Sequence, residues 1–390
     1  MRIFFWILHQ DGVGYYRLAE PARMINKLGL AEVITNPFDS QGRLKESWTD
    51  FSLDKDGKPK CIKYLDKVLG NPKKPIDAIV VQRYDHIVPF STVLAIKDNF
   101  KIPVLQENDD YLWDIPEMNP GVISYHEKKP ENQVSPQDAM FLSRKSLGVF
   151  DGYIVSTGFL KELYDNYSPS YICPNSVDLS MRKFPAAKPH KEIRIAFSAS
   201  AGHIENLEMI TPVIEEILRR HKNVYFYSYR NMPKPKVEKS LEKQIRLMDW
   251  KPVEKYPAYL ASLGIDIALA PLIDRLFNRG KSNLRLLEYW SSGKYAVIAS
   301  DVGEYSKTIK HGVNGLLAKE SDDWLNNIEL LIKKPELRKK LGEAGYKTVE
   351  KDFNLEKNAR LWVKSIKSAI DNYSPDRTPP EQYLAPDFRG

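Results

Sequence analysis

The 390-residue sequence has only two cysteines, Cys61 and Cys173, and neither has a second Cys or a His at the spacing of a metal site. No disulfide framework or zinc site is therefore indicated, and so few cysteines favour a reducing compartment, which we take to be the cytoplasm. The longest apolar runs are only as long as a strand, so we predict no transmembrane helix. Residues 1–9 lack the long apolar core and the cleavage site of a signal peptide, and we interpret them as a buried first strand.

The sequence also contains no Walker loop, no nucleophile elbow and no complete G-x-G-x-x-G fingerprint. It therefore gives no sign of the phosphate, acyl-transfer or dinucleotide chemistry that these motifs carry. Whatever chemistry the chain performs must depend on other residues.

Basic residues exceed acidic ones, with 58 Lys and Arg against 51 Asp and Glu, a formal net charge of +7 and a pI of about 9.0. Such a surface attracts phosphate, whether in a nucleotide, a nucleic acid or the headgroups of an anionic lipid surface. The lysines are dispersed along the chain, however, which is equally typical of an ordinary solvated surface. Charge alone leaves both interpretations open.

Buried strands alternate with amphipathic helices along the chain, a pattern that predicts doubly wound parallel sheets. In the first half we predict strands at 2–8, 31–34, 78–82, 103–107 and 152–156, with helices at 16–28, 91–100 and 141–150. In the second half we predict strands at 193–198, 224–229, 266–270 and 296–300, with helices at 207–220, 256–263, 282–292, 322–333, 335–351 and 355–369. The fold class is therefore α/β with two Rossmann-like domains.

A Pro- and Lys-rich stretch at 183–191 has the composition of a linker, and the pattern restarts after it. We predict a first domain at 1–186, a second at 187–352, and a C-terminal segment at 353–390 that is irregular after Asn372. Open α/β sheets bind ligands at the carboxyl ends of their strands. Two such sheets that face a cleft would offer a small-molecule site.

The segment from Asn278 to Glu288 is the most informative, because a buried strand leads through a polar loop into a helix. Ser282 can cap that helix, whose first amides and positive dipole end favour a phosphate. If the first turn extends back to Lys281, then Lys281, Arg285 and Glu288 share one face. Two cations and a carboxylate suit a diphosphate and a ribose diol. The alternative is a solvated face with ordinary ion pairs.

Motifs that follow this helix are typical of one enzyme group. Gly293 stands where a left-handed helix cap is expected, followed by Val-Ile-Ala-Ser at 297–300, Asp-Val-Gly at 301–303 and Gly-Val-Asn-Gly-Leu-Leu at 312–317. The run from Ile265 to Leu317 resembles the donor-binding half of retaining glycosyltransferases with the two-domain GT-B fold. The resemblance implies that Glu288 binds the donor ribose and Lys281 the diphosphate. It also implies that the last helix returns to the first domain.

The resemblance has one departure. The family motif is Glu-x7-Glu, and its first acid contacts the sugar, whereas Gly280 occupies that position here. The pattern Phe-Asn-x-x-Lys-Ser-x-x-Arg-x-x-Glu at 277–288 indicates a divergent branch and leaves the identity of the sugar open.

Two glycine loops are further candidates for the donor site. Gly12 and Gly14 lie between the first strand and its helix, where glycine lets backbone amides approach a phosphate, and the alternative is a tight turn. Arg17, one turn later, can reach a phosphate or pair with Glu20. His203 opens the second domain in the position of a loop that lines the nucleotide pocket in the family, and the alternative is an exposed loop histidine.

Acids at the end of another predicted strand are candidates for the acceptor side. Asp109 and Asp110 could bind acceptor hydroxyls or stabilise an oxocarbenium-like transition state, and we predict them as the catalytic pair. The alternative is that they cap the following turn. Tyr111 and Trp113 could stack on a sugar or a base, and the stretch 83–86 also ends a strand.

We therefore predict a hexosyl- or pentosyltransferase that uses a UDP- or GDP-sugar as co-substrate, needs no metal or other cofactor, and has a glycan, lipid, protein or nucleic acid as acceptor. A transferase acting on a modified DNA base is one alternative. A nucleotide-sugar epimerase or an inactive binding module of the same fold is another, since the first family acid is missing.

Overall fold

The computed structural model describes residues 1–9, 12–39, 44–48, 50, 54–56, 59–83, 88–111, 146–199 and 201–375. The chain forms two compact units. The described residues of the first unit precede residue 176 or follow residue 354, and those of the second unit are Ser176–Asn354. The Pro- and Lys-rich stretch at 183–191 lies within the second unit and has almost no regular secondary structure.

The first unit contains a six-stranded parallel sheet in the order β2-β1-β3-β4-β5-β6. Its strands are β1 Arg2–Trp6, β2 Glu32–Thr35, β3 Ala78–Gln82, β4 Val104–Asn108, β5 Gly152–Val155 and β6 Ser170–Ile172. Its α-helices are α1 Glu20–Lys27, α2 Ile62–Leu69, α3 Val88–Phe100, α4 Gly158–Tyr164 and, from the end of the chain, Leu355–Asp371, which is α12 below. The strand β3 is buried along its whole length, which explains its nearly continuous apolar sequence. The strand β4 is equally buried but ends in the polar residues Gln106, Glu107 and Asn108.

The second unit contains another six-stranded parallel sheet, in the order β12-β11-β10-β7-β8-β9. Its strands are β7 Ile193–Phe197, β8 Val224–Tyr229, β9 Ile245–Met248, β10 Ile267–Ala270, β11 Ala296–Ser300 and β12 Leu316–Ala318. Its helices are α5 Ile204–Arg220, α6 Tyr256–Ser262, α7 Leu276–Gly280, α8 Leu284–Gly293, α9 Gly303–Thr308, α10 Ser321–Lys333 and α11 Pro335–Asp352. Because β7 and β10 are neighbours, the loops after them emerge side by side at the carboxyl edge.

The predicted α/β class with two doubly wound parallel sheets is confirmed by this topology. The helix predicted at 16–28 differs, because the chain first forms a π-helix, Gly14–Ala19, and only then α1. Of the helix predicted at 141–150, the structure describes only 146–150, of which Ser146–Val149 is a 3-10 turn.

Apolar side chains pack on both faces of the first sheet. Helix α12 contributes Leu355, Ala359, Trp362 and Ile366 to the core that also holds Leu18 and Ile25. In the second unit, α11 packs against α8 at two glycines. A Cβ on Gly342 would lie 1.6 Å from the Lys294 carbonyl oxygen, and one on Gly345 would lie 2.2 Å from the Trp290 ring nitrogen. No helix among the described residues has the length and apolar character needed to cross a membrane.

Candidate active site

The segment predicted to bind the donor forms two helices with a break between them. The first, α7, ends at Gly280, and Lys281 has an extended backbone with φ −63° and ψ 140°. Helix α8 then begins at Leu284, two residues later than predicted. Ser282 is therefore not the residue that caps α8, although its hydroxyl oxygen lies 3.4 Å from the Leu284 amide nitrogen as an acceptor. The residue before the helix is Asn283, whose side chain instead donates to the Thr308 hydroxyl at 3.0 Å.

The expectation that Lys281, Arg285 and Glu288 share a face of one helix is wrong, because Lys281 precedes the helix in extended backbone. Lys281 nevertheless remains near the other cationic group of the site, since its charge acts on the same histidine as that of Arg285. Its Nζ also lies 4.2 Å from the centre of the Phe277 ring. Arg285 and Glu288 are both half-buried on α8 and are three residues apart.

Arg285 connects α8 to the end of β7. One guanidinium nitrogen donates to the Ser198 carbonyl, and the other lies 3.0 Å from Nε2 of His203. The guanidinium also lies over the ring of Phe197, 5.3 Å from its centre. A cation is therefore held at the carboxyl edge of the second sheet, beside the first turn of α8, where a helix favours an anion.

His203 is buried, with 8% of its surface exposed, and is not the exposed loop histidine of the alternative interpretation. Burial is the main reason why its pKa lies well below the ordinary value, and the nearby charges of Arg285 and Lys281 lower it further. The imidazole is therefore neutral at physiological pH. Its Nδ1 lies 3.0 Å from the amide nitrogen of Asn206, whose oxygen accepts from the Ile273 amide at 2.9 Å.

Asn278 is buried and fixes the loop after β10. Its amide nitrogen donates to the Ile273 carbonyl at 2.8 Å. The next residue, Arg279, points to solvent and pairs with Asp274 through two contacts of 2.6 and 2.9 Å. Asn278 therefore supports the shape of the loop that reaches Asn206 and His203.

Glu288 lies among tyrosines that sequence reasoning did not identify. Burial raises the pKa of Tyr256, and the negative charge of Glu288 raises it further. The Tyr256 hydroxyl is 2.6 Å from the Ser198 hydroxyl. Tyr289 accepts from the Ser198 amide at 2.9 Å and donates to the Leu269 carbonyl at 3.1 Å. These contacts fasten the ends of β7 and β10 to α8, and nothing in the spacing of the tyrosines indicated this.

Gly293 does not have the predicted left-handed conformation. It is the last residue of α8, and the left-handed residue is Lys294, with φ 54°. A glycine is nevertheless required at 293, because a Cβ there would lie 2.0 Å from the Tyr295 ring. The sequence therefore marked position 293 correctly as one that needs glycine, but the reason is the close contact with the Tyr295 ring.

In the first unit, side chains hold the chain after β1 and so position the predicted glycine loop. The Asn36 amide exchanges two hydrogen bonds with the backbone of Ile7, at 2.8 and 3.0 Å. The Gln82 oxygen accepts from the amides of Leu8 and His9, at 2.8 and 2.9 Å. A Cβ on Gly14 would lie 2.0 Å from the His9 carbonyl oxygen, whereas one on Gly12 would have no atom within 4 Å.

Arg17 lies in the π-helix after this loop and is buried in the first unit. Its Nε is 2.6 Å from Glu107, and it also donates to the Cys173 carbonyl at 2.6 Å. Its guanidinium lies 5.1 Å from the centre of the Trp362 ring. The sequence offered a phosphate contact or a pair with Glu20, but the ion pair found is with Glu107. Because Arg17 is only 1% exposed and is paired with Glu107, it is part of the interior of the first unit.

The two predicted acids do lie together after β4. Asp109 and Asp110 accept from Arg83 at 2.9 and 2.6 Å, and all three side chains are partly buried. Tyr111 packs edge-on against Phe159, with ring centres 6.4 Å apart. Trp113 and the residues 84–86 lie outside the described residues. In the described part of the chain, no group of acids, histidines and cysteines has the arrangement of a metal site.

Comparison with known proteins identifies the class of enzyme. Residues 183–348 match the family model described as "Glycosyl transferases group 1". No curated protein sequence matches the chain.

Solved structures resemble nearly the whole chain. Sucrose-phosphate synthase from Thermosynechococcus elongatus is 13% identical, with a TM-score of 0.65, over 96% of this chain and 100% of that one. A glycosyltransferase from Rickettsia africae is 14% identical, with a TM-score of 0.62, over 95% and 99%. Anabaena HepE, in a complex with UDP and glucose, is 13% identical, with a TM-score of 0.62, over 94% and 100%.

At this low identity the structures show the fold, which is GT-B, and the family match gives the class. The group 1 match lies within the second unit, which is therefore a glycosyltransferase group 1 domain. The predicted fold and enzyme class are confirmed, whereas the retaining Glu-x7-Glu affiliation and the role of each site residue stay predictions.

Proposed function

We propose that the protein transfers a sugar from a nucleoside-diphosphate sugar to an acceptor hydroxyl, with the donor bound in the second unit. The observation that carries this proposal is the meeting of Arg285, the neutral His203 and the charge of Lys281 beside the start of α8. Two cations, a helix N-terminus and a neutral donor form a suitable site for a diphosphate. Glu288, on the same helix, would accept from the ribose hydroxyls.

This arrangement would act mainly on the leaving group. As the bond between the sugar and the diphosphate breaks, negative charge builds up on the phosphate oxygens. Lys281, Arg285 and the first amides of α8 would stabilise that charge without having to reorganise. Because these groups supply the positive charge, we propose that no metal or other cofactor is required.

Among nucleotides, UDP is the first to test. HepE, which has the same fold, has been crystallised with UDP and with UDP-glucose. A GDP-sugar remains the second choice. We propose transfer with retention of configuration, supported by the resemblance of residues 265–317 to retaining enzymes. The anomeric proton of the product, observed by NMR early in the reaction, tests this directly.

Asp109 and Asp110 are proposed to serve the acceptor. Their pairing with Arg83 at the end of β4 gives a set of fixed carboxylates at a sheet edge where ligands bind. The proposed acceptors remain a glycan, a lipid-linked glycan, a protein or a nucleic acid, and we propose a cytoplasmic location.

The deciding experiment is a thermal-shift and calorimetry series with UDP, GDP, ADP and UDP-glucose. A ligand that binds only the folded protein raises its melting temperature. We expect one nucleoside diphosphate to do so in the wild type, and Lys281→Ala to weaken its binding strongly.

The matched control is Lys243→Ala. Lys243 is an exposed lysine of the same unit, two residues before β9, and so lies near the opposite, amino edge of the sheet. This variant should bind like the wild type. If no nucleotide binds the wild type, or if both variants lose binding equally, the donor site is misplaced.

A further inference from the structure

Four groups in the proposed donor site form a linear series of polar contacts. Arg285 lies 3.0 Å from Nε2 of His203, and Nδ1 of His203 lies 3.0 Å from the amide of Asn206. The other end of that amide lies 2.9 Å from the Ile273 backbone nitrogen. The two ends of the series, a guanidinium and a peptide N–H, can only donate hydrogen bonds.

This series cannot be fully satisfied by the protein alone. A neutral imidazole has one donor nitrogen and one acceptor nitrogen, and the carboxamide of Asn206 turns its NH2 group to one neighbour and its oxygen to the other. If Arg285 donates to His203 and His203 donates to Asn206, the Asn206 NH2 group then faces the Ile273 N–H. Every other arrangement moves the conflict to another contact, and turning the amide of Asn206 only changes its place. One of the three contacts therefore always joins two donors.

Protonation would not relieve the conflict. An imidazolium donates from both nitrogens, so it would face Arg285 with a second donor. The burial of His203 and the charges around it already keep its pKa well below the ordinary value. The neutral ring is therefore the form to which the conflict applies.

The contact that can give way is the one between Arg285 and His203. The Ile273 amide is part of the backbone, in a loop that Asn278 also fastens. Arg285 has a second anchor, because it also donates to the Ser198 carbonyl. It can therefore release His203 and keep its place.

We propose that an oxygen of the donor's diphosphate accepts hydrogen bonds from both Arg285 and Nε2–H of His203, and that Asn206 positions His203 by donating to Nδ1. This inference rests on the proposed function and deepens it. The Asn206 oxygen then accepts from Ile273, and every donor in the series has an acceptor. The anion supplies the acceptor that the protein lacks, while His203 acts as a neutral donor and Asn206 as a positioning residue.

The tautomer of His203 is directly measurable. The sequence has seven histidines, so 15N labelling of histidine gives a small set of ring signals, and His203→Gln identifies the one that belongs to His203. Two-bond proton–nitrogen correlations distinguish Nε2–H, Nδ1–H and the imidazolium. With saturating UDP, or with GDP if UDP does not bind, we expect His203 as the Nε2–H tautomer. An Nδ1–H tautomer or an imidazolium in the bound state would overturn the inference.

Asn206→Asp is the matched variant. A carboxylate can accept from both the Ile273 amide and Nδ1–H of His203, which frees Nε2 to accept from Arg285. All contacts are then satisfied without a ligand. We expect the free variant to melt at a higher temperature, its His203 to be the Nδ1–H tautomer, and UDP to bind about tenfold or more weakly.

The added negative charge alone would also weaken UDP binding, but it would not by itself switch the tautomer. If the variant keeps the Nε2–H form, or binds UDP as tightly as the wild type, the inference fails. The two proposals can be told apart. Absence of binding by every nucleoside diphosphate to the wild type refutes the proposed function, whereas tight binding with the wrong tautomer refutes only the role assigned to His203 and Asn206.

Discussion

Arg17 and Glu107 form an ion pair in the interior of the first unit, with Nε of Arg17 2.6 Å from the carboxylate and both side chains at most 1% exposed. The pair joins the π-helix after β1 to the end of β4, 90 residues away in sequence. Within the described residues, one nitrogen of Arg17 and one oxygen of Glu107 have no hydrogen-bond partner. Such a pair is costly to desolvate, so the removal of one member should matter more than the removal of both.

Replacement of Arg17 by methionine should strongly destabilise the first unit. The change removes the cation of Glu107, which must then keep its proton or remain a buried unpaired charge, and it also removes the donor to the Cys173 carbonyl. The free energy of unfolding should therefore fall by about 3–5 kcal/mol. Urea unfolding followed by tryptophan fluorescence measures it. As a control, Lys161→Met breaks a pair with Asp165 in which both side chains are 40% exposed, and it should cost about 1 kcal/mol or less. Equal losses in the two variants would contradict a special role for the buried pair.

The double variant Arg17→Met with Glu107→Leu tests the same idea from the other side. With both charges gone, no buried charge lacks a counter-ion, so the double variant should regain part of the stability that Arg17→Met loses. A double variant that is less stable than Arg17→Met would show that the pair itself holds the sheet together.

Stability should depend on pH through Glu107. Burial, opposed by Arg17, raises the pKa of Glu107 from 4.5 to about 7. Between these two values the folded protein keeps a proton that the unfolded chain has released, so stability falls as the pH rises from 4.5 to 7. The stability of the wild type relative to Glu107→Gln should therefore fall by about 3 kcal/mol across this window. If the free energies of unfolding of the two proteins change in parallel between pH 4.5 and 7.5, Glu107 is not the group responsible.

Substitutions at two adjacent residues at the end of α8 should change the stability of the protein in opposite directions. Lys294 has φ 54°, so Lys294→Gly should relieve backbone strain and stabilise the protein by up to about 1 kcal/mol. Gly293→Ala places a Cβ against the Tyr295 ring, whose hydroxyl donates to the Leu260 carbonyl at 2.5 Å, and should cost roughly 1–3 kcal/mol. Thermal melts measure both. The opposite ranking would mean that 293 is the left-handed position after all.

The glycine loop of the first unit should depend on Gln82. Gln82→Leu removes the acceptor of the Leu8 and His9 amides, so these amides should exchange with solvent much faster and stability should fall by about 1–3 kcal/mol. Gln82→Glu keeps an oxygen that can accept from both amides and serves as the control for amide exchange at Leu8 and His9. If exchange at Leu8 and His9 is unchanged in Gln82→Leu, the loop is held by other contacts.

Nine of the twelve strands that the structure describes were predictable because a buried strand leaves an apolar run, whereas the short edge strands β6, β9 and β12 were not predicted. Residues 78–82, 224–229 and 296–300 were predicted with the bounds that the structure shows. The start of α8 was not, because local spacing alone could not show the break at Lys281. The π-helix was also missed, since its residues have the same apolar spacing as an α-helix.

The spacing of residues along the sequence could not show which residues from different strand–helix connections are in contact. Lys281, Arg285 and His203 were each identified by motif or by resemblance, but only the adjacency of β7 and β10 brings Arg285 to His203. Glu107 was missed because its partner Arg17 belongs to another strand–helix connection. Asn206 has no sequence signal at all, since an asparagine in the first turn of α5 is common.

The position of α12 in the first unit determines the order in which the two units can be completed during synthesis. The chain enters the second unit at Ser176 and leaves it at Asn354. Next to these two residues, the Val177 amide donates to the Phe353 carbonyl at 3.0 Å. Only afterwards does α12 supply Trp362, the ring that covers Arg17. During synthesis, the part of the first sheet that α12 covers must therefore stay exposed until the whole of the second unit has been made. The half of the molecule that is made first is the half that is finished last.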